Sequence, residues 1–214
     1  RKNRLQSKSL SKPKPKIPII IVGNITIGGT GKTPLVKYIA QNLQKLGYKP
    51  GLVSRGYGGK FKETLRVDES TSVKQTGDEA QILSTLGLPF YIDKNRLRAV
   101  NKIINETDCN VIISDDGLQH YNMHRDIEIL VIDGKRRFGN NLLFPAGPLR
   151  ESRKRSKEVD FVVNNSGPTE GDEFLMNITP NKFVHLNSAK SYEIDKWPMH
   201  RQVHAVAGLG NPGR

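Results

Sequence analysis

An α/β fold built on a parallel sheet with helices on both faces is predicted by two features of the sequence. Short apolar runs rich in β-branched residues and lacking polar alternation, such as Pro18-Ile-Ile-Ile-Val-Gly23 and Val111-Ile-Ile113, read as strands buried on both sides. Between successive runs lie segments long enough for a helix, which is the connection that parallel strands need. The 214 residues have room for one large or two small domains, and 36% hydrophobic residues with 20 glycines match an ordinary globular chain. The expected whole is a three-layer α/β/α sandwich followed by a second, smaller α/β domain.

The elements follow in order. Residues 1–16 lack apolar periodicity, alternate Lys with Pro and read as an extended, solvated lead-in. The first strand starts at Ile17 and ends at Gly23-Asn24. A helix comes next, because Leu35, Val36, Ile39, Ala40, Leu43 and Leu46 share one face at 3.6 periodicity, with Pro34 in its first turn and Gly47 as its stop. Strands are then expected at Gly51–Ser54, Leu65–Val67, Phe90–Ile92, Val111–Ile113 and Ile127–Ile132, and helices over 78–86 and 95–106. Arg55-Gly-Tyr-Gly-Gly59 reads as a loop. The first domain is expected to end near Pro148. Beyond it, a basic stretch (Arg153-Lys-Arg-Ser-Lys157) and strands at Phe161–Val163, about Lys182–Leu186 and Val203–Leu209 suggest the second unit, residues 149–214.

Composition excludes several classes. The formal net charge is +13, but seven of the 34 basic residues fall in Arg1–Lys16, which has no acidic residue; the rest carries 27 basic against 21 acidic. So modest a bias in the body, with no recognisable nucleic-acid module, argues against a nucleic-acid partner. No run is apolar for long enough to cross a bilayer. The single Cys109 cannot form an intramolecular disulfide and suits a reducing compartment.

The strongest chemical signal is Thr26-Ile-Gly-Gly-Thr-Gly-Lys-Thr33, between a buried strand and an amphipathic helix. Gly28, Gly29 and Gly31 let backbone N–H groups around Ile27 and Thr30 turn towards phosphate oxygens, and the helix N-terminus adds its dipole. Lys32 can then reach the β/γ-phosphates, and the Thr33 hydroxyl can bind Mg²⁺. The strict pattern has Gly where this chain has Thr26, so the loop is a variant. It makes the predicted sandwich P-loop NTPase-like. The carboxylate that such sites use for Mg²⁺ should end a neighbouring apolar strand, and Asp115-Asp116 stands there, with Asp133 as rival; a turn or cap is the alternative for each. Partitioning-type ATPases, switch proteins with a similar loop, place a second lysine where this chain has Ile27, and no Asn-Lys-x-Asp guanine motif is present. A small-molecule kinase is therefore the better class, with an ATPase switch as the alternative.

Five blocks occur together: Val22-Gly-Asn-Ile-Thr-Ile-Gly-Gly-Thr-Gly-Lys-Thr-Pro34, Ser54-Arg-Gly-Tyr-Gly-Gly59, Gly77-Asp-Glu79, Asp115-Asp-Gly-Leu-Gln-His120 and Pro145-Ala-Gly-Pro-Leu-Arg-Glu151. In this order the chain closely resembles the tetraacyldisaccharide 4′-kinase family of Gram-negative bacteria, from about Ile17 to Pro212. The resemblance implies transfer of the ATP γ-phosphoryl group, with Mg²⁺, to the 4′-hydroxyl of a tetraacylated glucosamine disaccharide 1-phosphate in lipid A synthesis. It also implies a monomer at the cytoplasmic face of the inner membrane, with the basic lead-in against anionic lipid headgroups. By the same resemblance Asp78 is the base, although the residues alone favour a helix N-cap there. Asp115 and Asp116 become the Mg²⁺-associated pair and Arg150 the charge stabiliser. Arg55 and Tyr57 are expected acceptor contacts, His120 a contact to either substrate and Arg96 a phosphate contact, each with a bland reading as a mobile loop, solvated side chain or surface charge. Members of the family have a partner histidine beyond the Gly208-Leu-Gly-Asn-Pro212 block and an amphipathic helix ahead of the lead-in, so both ends are expected to be truncated.

Overall fold

The computed structural model describes residues 17–185 and 187–196. Its centre is an eight-stranded sheet. The strands are β1 (Ile19–Gly23), β2 (Pro50–Ser54), β3 (Leu65–Arg66), β4 (Phe90–Ile92), β5 (Val111–Asp115), β6 (Ile127–Asp133), β7 (Phe161–Asn165) and β8 (Phe174–Met176), in the order β3-β4-β2-β5-β1-β6-β7-β8. All neighbours are parallel except β3 and β4. β1 lies between β5 and β6, so the chain leaves β1 where the strand order reverses, and loops at the carboxyl ends of these strands bound a crevice.

The uniformly apolar strands are explained by cover on both faces. In β1, Ile19 and Ile21 belong to one apolar cluster, while Ile20 and Val22 belong to another. The first cluster takes Ala99, Val100 and Ile103 from the helix α4 (Arg96–Glu106), whose start is capped by the Asn95 side chain accepting from the Leu97 N–H. The second takes Leu35, Val36 and Ala40 from α1 (Lys32–Lys45), and Ala80 and Leu83 from α3 (Asp78–Ser84). The three-layer sandwich predicted from the sequence is present.

Differences from the expected elements have local causes. Leu46 caps α1 and is exposed rather than continuing its apolar face, because the helix stops at Lys45 and Gly47 turns with φ +84°. A one-turn helix α2 (Val73–Thr76), capped by Ser72, precedes α3 and was not anticipated; four residues are too few for a periodic signal. The sheet also continues past Pro148. β7 pairs with β6 over five residues, from Ile129 with Phe161 to Asp133 with Asn165, and β8 pairs with β7. The expected boundary therefore falls inside one sheet, because Phe161–Asn165 finds an open parallel edge on β6. Only β9 (Lys182–Val184) and β10 (Ser191–Glu193) form a separate antiparallel pair among the described residues. The lead-in 1–16 and the strand expected at Val203–Leu209 lie outside the described residues.

Candidate active site

The glycine-rich loop between β1 and α1 is held by its carbonyls. Three are taken by donors from elsewhere and one from within: the Arg150 N–H bonds Ile25 at 2.7 Å, Arg136 Nη2 bonds Ile27 at 3.2 Å and Asn165 Nδ2 bonds Thr30 at 2.9 Å, while the loop's own Asn24 Nδ2 bonds Gly28 at 3.2 Å. Drawing the carbonyls aside leaves the Gly28, Gly29, Thr30 and Gly31 N–H groups without a backbone acceptor among the described residues. Donors presented at the start of a helix form a ready anion cradle. Gly31 stands immediately before α1 with φ +94°, and a Cβ there would meet Asn165 Nδ2 at 2.3 Å. Only glycine fits both the backbone and the amide packed against it.

Beside the cradle the two adjacent carboxylates differ sharply. Asp115, the last residue of β5, is 1% exposed, and neither carboxylate oxygen has a hydrogen-bond partner among the described residues. Burial pushes its acid up to about 7 against the pull of Lys32, with Glu79 and Asp116 adding to the rise. Asp116 has left the strand with φ +50°. Its carboxylate lies 2.9 and 3.2 Å from Arg150 Nη1 and 3.8 Å from Lys32 Nζ. Burial alone would raise its pKa, but Lys32 and the Arg150 hydrogen bond outweigh it and hold the group below the usual carboxylate range. Arg150 Nη1 also donates to Asn24 Oδ1 at 3.1 Å, and Gln119 Nε2 donates to the Asn24 carbonyl at 2.9 Å. The expected loop, Lys32, Arg150 and Asp115-Asp116 thus converge at one end of the sheet. The rival Asp133 accepts from the Lys135 and Arg136 N–H groups in a tight turn.

Asp78 is the first residue of α3 and is not its cap, since Gly77 occupies that place with φ +81° and no side-chain cap is formed. The Asp78 carboxylate is exposed and makes no hydrogen bond among the described residues. The Arg55–Gly59 loop packs on this corner: a Cβ on Gly77 would sit 2.0 Å from the Tyr57 carbonyl, and Tyr57 itself is 82% exposed. Arg55 is exposed too, near enough to Arg96 to disfavour its charge. His120 is half-buried on the loop that follows Asp116.

Arg96 departs from expectation. It is 2% exposed, and its guanidinium donates to the Asp93, Asp115 and Asp116 carbonyls at 3.1, 3.3 and 3.4 Å. Burial lowers its pKa to about 10, opposed by the two aspartates. It braces the Asp115-Asp116 backbone from beneath and has no open face for an acceptor phosphate. Sequence reasoning also missed Asn165, fully buried at the end of β7, and Arg136. The polar pair Asn164-Asn165 after the apolar Phe161–Val163 was the available signal, parallel to Asp115-Asp116 after Val111–Ile113.

The family model for tetraacyldisaccharide-1-P 4′-kinase matches residues 1–214. The chain belongs to the tetraacyldisaccharide 4′-kinase family. It is 46% identical over 200 residues to the tetraacyldisaccharide 4′-kinase of Methylobacillus flagellatus, covering 92% of this chain and 60% of that protein. The corresponding Vibrio campbellii kinase is 43% identical over 216 residues, covering all of this chain and 63% of that one. A solved structure described as the apo form of LpxK from Aquifex aeolicus in complex with ATP superposes with a TM-score of 0.73 at 30% identity, over 90% of this chain and 64% of that one. The chain therefore spans about 60% of the length of the curated kinases it matches. That superposition agrees with the sandwich and mostly parallel sheet of this chain.

Proposed function

We propose that this chain carries the nucleotide-binding part of an ATP-dependent kinase that phosphorylates the 4′-hydroxyl of a tetraacylated glucosamine disaccharide 1-phosphate. The observation that carries the reading is the convergence of Lys32, Arg150 and the Asp115-Asp116 pair on a loop of free N–H groups before α1. Family membership and the ATP named for the Aquifex structure support the choice of phosphoryl donor.

In this reading the N–H groups of Gly28–Thr33 bind the phosphates, whereas the Ile27 N–H, expected to join them, donates to the Pro148 carbonyl at 2.8 Å; Lys32 offsets charge on the transferring group. Arg150, already cationic beside Asp116, stabilises the charge that spreads over the γ-phosphoryl oxygens. A sugar hydroxyl is a weak nucleophile. Asp78 therefore accepts its proton as the new O–P bond forms and the bond to the β-phosphate bridging oxygen breaks, releasing ADP. The carboxylate of Asp78, exposed and unpaired among the described residues at the corner shared with Arg55 and Tyr57, suits it to an acceptor arriving from outside.

The residues also fit a divalent cation. A buried carboxylate with both oxygens orphaned is the donor that a hard cation takes, so Asp115 would hold Mg²⁺ directly, with Thr33 and Asp116 beside it. Mg²⁺ would neutralise charge on the β- and γ-phosphates. We place the acceptor unit beyond Met176 rather than at 149, since β7 and β8 belong to the nucleotide sheet. No helix among the described residues is long and apolar enough to cross a membrane. The basic lead-in would face anionic headgroups at the cytoplasmic face of the inner membrane, at roughly 1 kcal/mol per charge near the surface, and the enzyme would act as a monomer.

The test is direct. The full-length protein is incubated with ATP, Mg²⁺ and tetraacyldisaccharide 1-phosphate, and the lipid is examined for a second phosphate. Turnover that needs a protein or DNA partner and leaves the lipid unmodified would overturn the kinase reading.

A further inference from the structure

The Asp116–Arg150 pair joins two loops that have no covalent reason to stay in register, one following β5 and one leading to the 3₁₀ turn Arg153–Lys157. Behind the pair lies a buried ionic cluster that touches both. Glu128, on β6 and 5% exposed, sits between two guanidiniums: Arg125 Nη1 at 2.7 Å and Arg155 Nη2, itself 5% exposed, in a short hydrogen bond. Arg125 reaches the first loop, donating to the Leu118 carbonyl at 3.2 Å and the His120 carbonyl at 2.7 Å. Arg155 reaches the second, with Nε 3.5 Å from Glu151, the residue next to Arg150. Tyr121 closes the circuit. Its hydroxyl donates to Glu151 Oε2 at 2.7 Å, and the Arg125 and Arg155 guanidiniums lie 5.1 and 5.9 Å from its ring centre.

We infer that Glu128, clamped between Arg125 and Arg155, is a positioning residue that holds the loop after Asp116 and the loop bearing Arg150 in the relation that aims Arg150 at the transferring phosphoryl group. The inference rests on the proposed role of Arg150. Its physical basis is that one carboxylate is the common acceptor for two cations, each committed to a different loop. A buried carboxylate between two arginines has little freedom to move without leaving a charge unpaired. Losing the Glu128 charge removes the acceptor that the two arginines share and leaves the Tyr121–Glu151 bond to hold the loops together behind the pair, so their relation loosens, while the glycine-rich loop keeps its anchors from Asn24, Arg136 and Asn165. The effect should therefore appear in turnover more than in nucleotide affinity.

The experiment is a double-mutant cycle in the full-length protein, with ATP, Mg²⁺ and tetraacyldisaccharide 1-phosphate. Glu128→Gln is expected to lower kcat about tenfold or more with KM for ATP within about threefold, and to cost less than about twofold further in an Arg150→Ala background. Equal fold-losses in both backgrounds, or Glu128→Gln turnover near wild type, would overturn the inference and leave the kinase reading standing. Arg150→Ala turnover near wild type would overturn the role of Arg150 and this inference with it. Should Glu128→Gln fail to show a cooperative melt, Tyr121→Phe replaces it in the cycle. That change keeps the ring between the guanidiniums and removes the hydroxyl's bond to Glu151 and its interaction with Arg155, so a loss of about threefold confined to the Arg150 background is expected, and the same loss in both backgrounds refutes it.

Discussion

Replacing Gly31 by alanine tests whether the anion cradle is built as the geometry indicates. At φ +94° an alanine pays about 1–2 kcal/mol for the left-handed backbone. Its Cβ would stand 2.3 Å from Asn165 Nδ2 and 3.1 Å from Met176 Cε, so the amide has to withdraw. Asn165 is fully buried, and its withdrawal breaks the 2.9 Å bond to the Thr30 carbonyl, leaving a buried acceptor unsatisfied for about 1–3 kcal/mol. Together these amount to roughly 2–5 kcal/mol, at about 2–4 °C of melting temperature per kcal/mol for a chain of this size. Thermal denaturation of Gly31→Ala and titration with an ATP analogue read the two consequences, lower stability and weaker nucleotide binding. The double variant Gly31→Ala with Asn165→Ala removes the clash and should not lose more stability than Gly31→Ala alone. A single variant within about 0.5 kcal/mol of wild type, the range of a neutral surface change, would refute the reasoning.

Three further outcomes are expected. Asp115→Asn should raise the melting temperature measured without divalent cation, because it removes a buried carboxylate that has no donor among the described residues, and should abolish Mg²⁺-dependent turnover; unchanged turnover would remove Asp115 from the cation site. Asp78→Asn should depress kcat about 10²–10⁴-fold with ATP affinity nearly unchanged, as single-turnover kinetics and equilibrium titration would show. Asp93 is buried, which raises its pKa, yet the bonds from Arg98, Thr64 and the Asn95 N–H prevail and lower it below 3.8. A depressed carboxyl stabilises the fold above its unfolded pKa and loses that contribution as pH falls through the folded one. Denaturant melts of the wild type should thus weaken below about pH 4 more than those of Asp93→Asn, and parallel curves would refute the assignment.

What could be read from the sequence was what neighbours along the chain encode. The strands announce themselves because both faces are apolar, and α1 because its buried positions recur at helical spacing before Gly47. The loop was legible because glycine, lysine and threonine at fixed offsets carry a mechanism of their own. For Asn165 the polar pair at the end of an apolar strand marks the position but not its partner, since Thr30 is 135 positions away and only the parallel pairing of β7 with β6 brings them together. Arg155 illustrates the same limit. Within a run of five residues that includes four cations, nothing local marks it as the buried one; the choice is made by Glu128, 27 positions earlier. Arg96 misled for the opposite reason, because an arginine in the first turn of a helix after a polar cap looks exposed, whereas the turn at Asp115-Asp116 closes over it.

The two adjacent aspartates show how one step along the chain separates two chemical roles. Asp115 keeps the strand conformation, so its side chain follows the alternation of β5 into the interior beside Lys32, where no hydrogen bond from the described residues reaches it. Asp116 adopts φ +50°, a conformation that costs an ordinary residue about 1–3 kcal/mol and that the Arg96 bonds to the Asp115 and Asp116 carbonyls help to hold. The turn swings its carboxylate out to Arg150. One carboxylate is thereby left with both oxygens unpartnered among the described residues and the other is bonded to Arg150; in the proposed site the first would hold the cation and the second would aim the arginine. The pair could not divide the work in this way if both continued the strand, because successive residues would then point to opposite faces of the sheet and Arg150 would have no acceptor at the crevice.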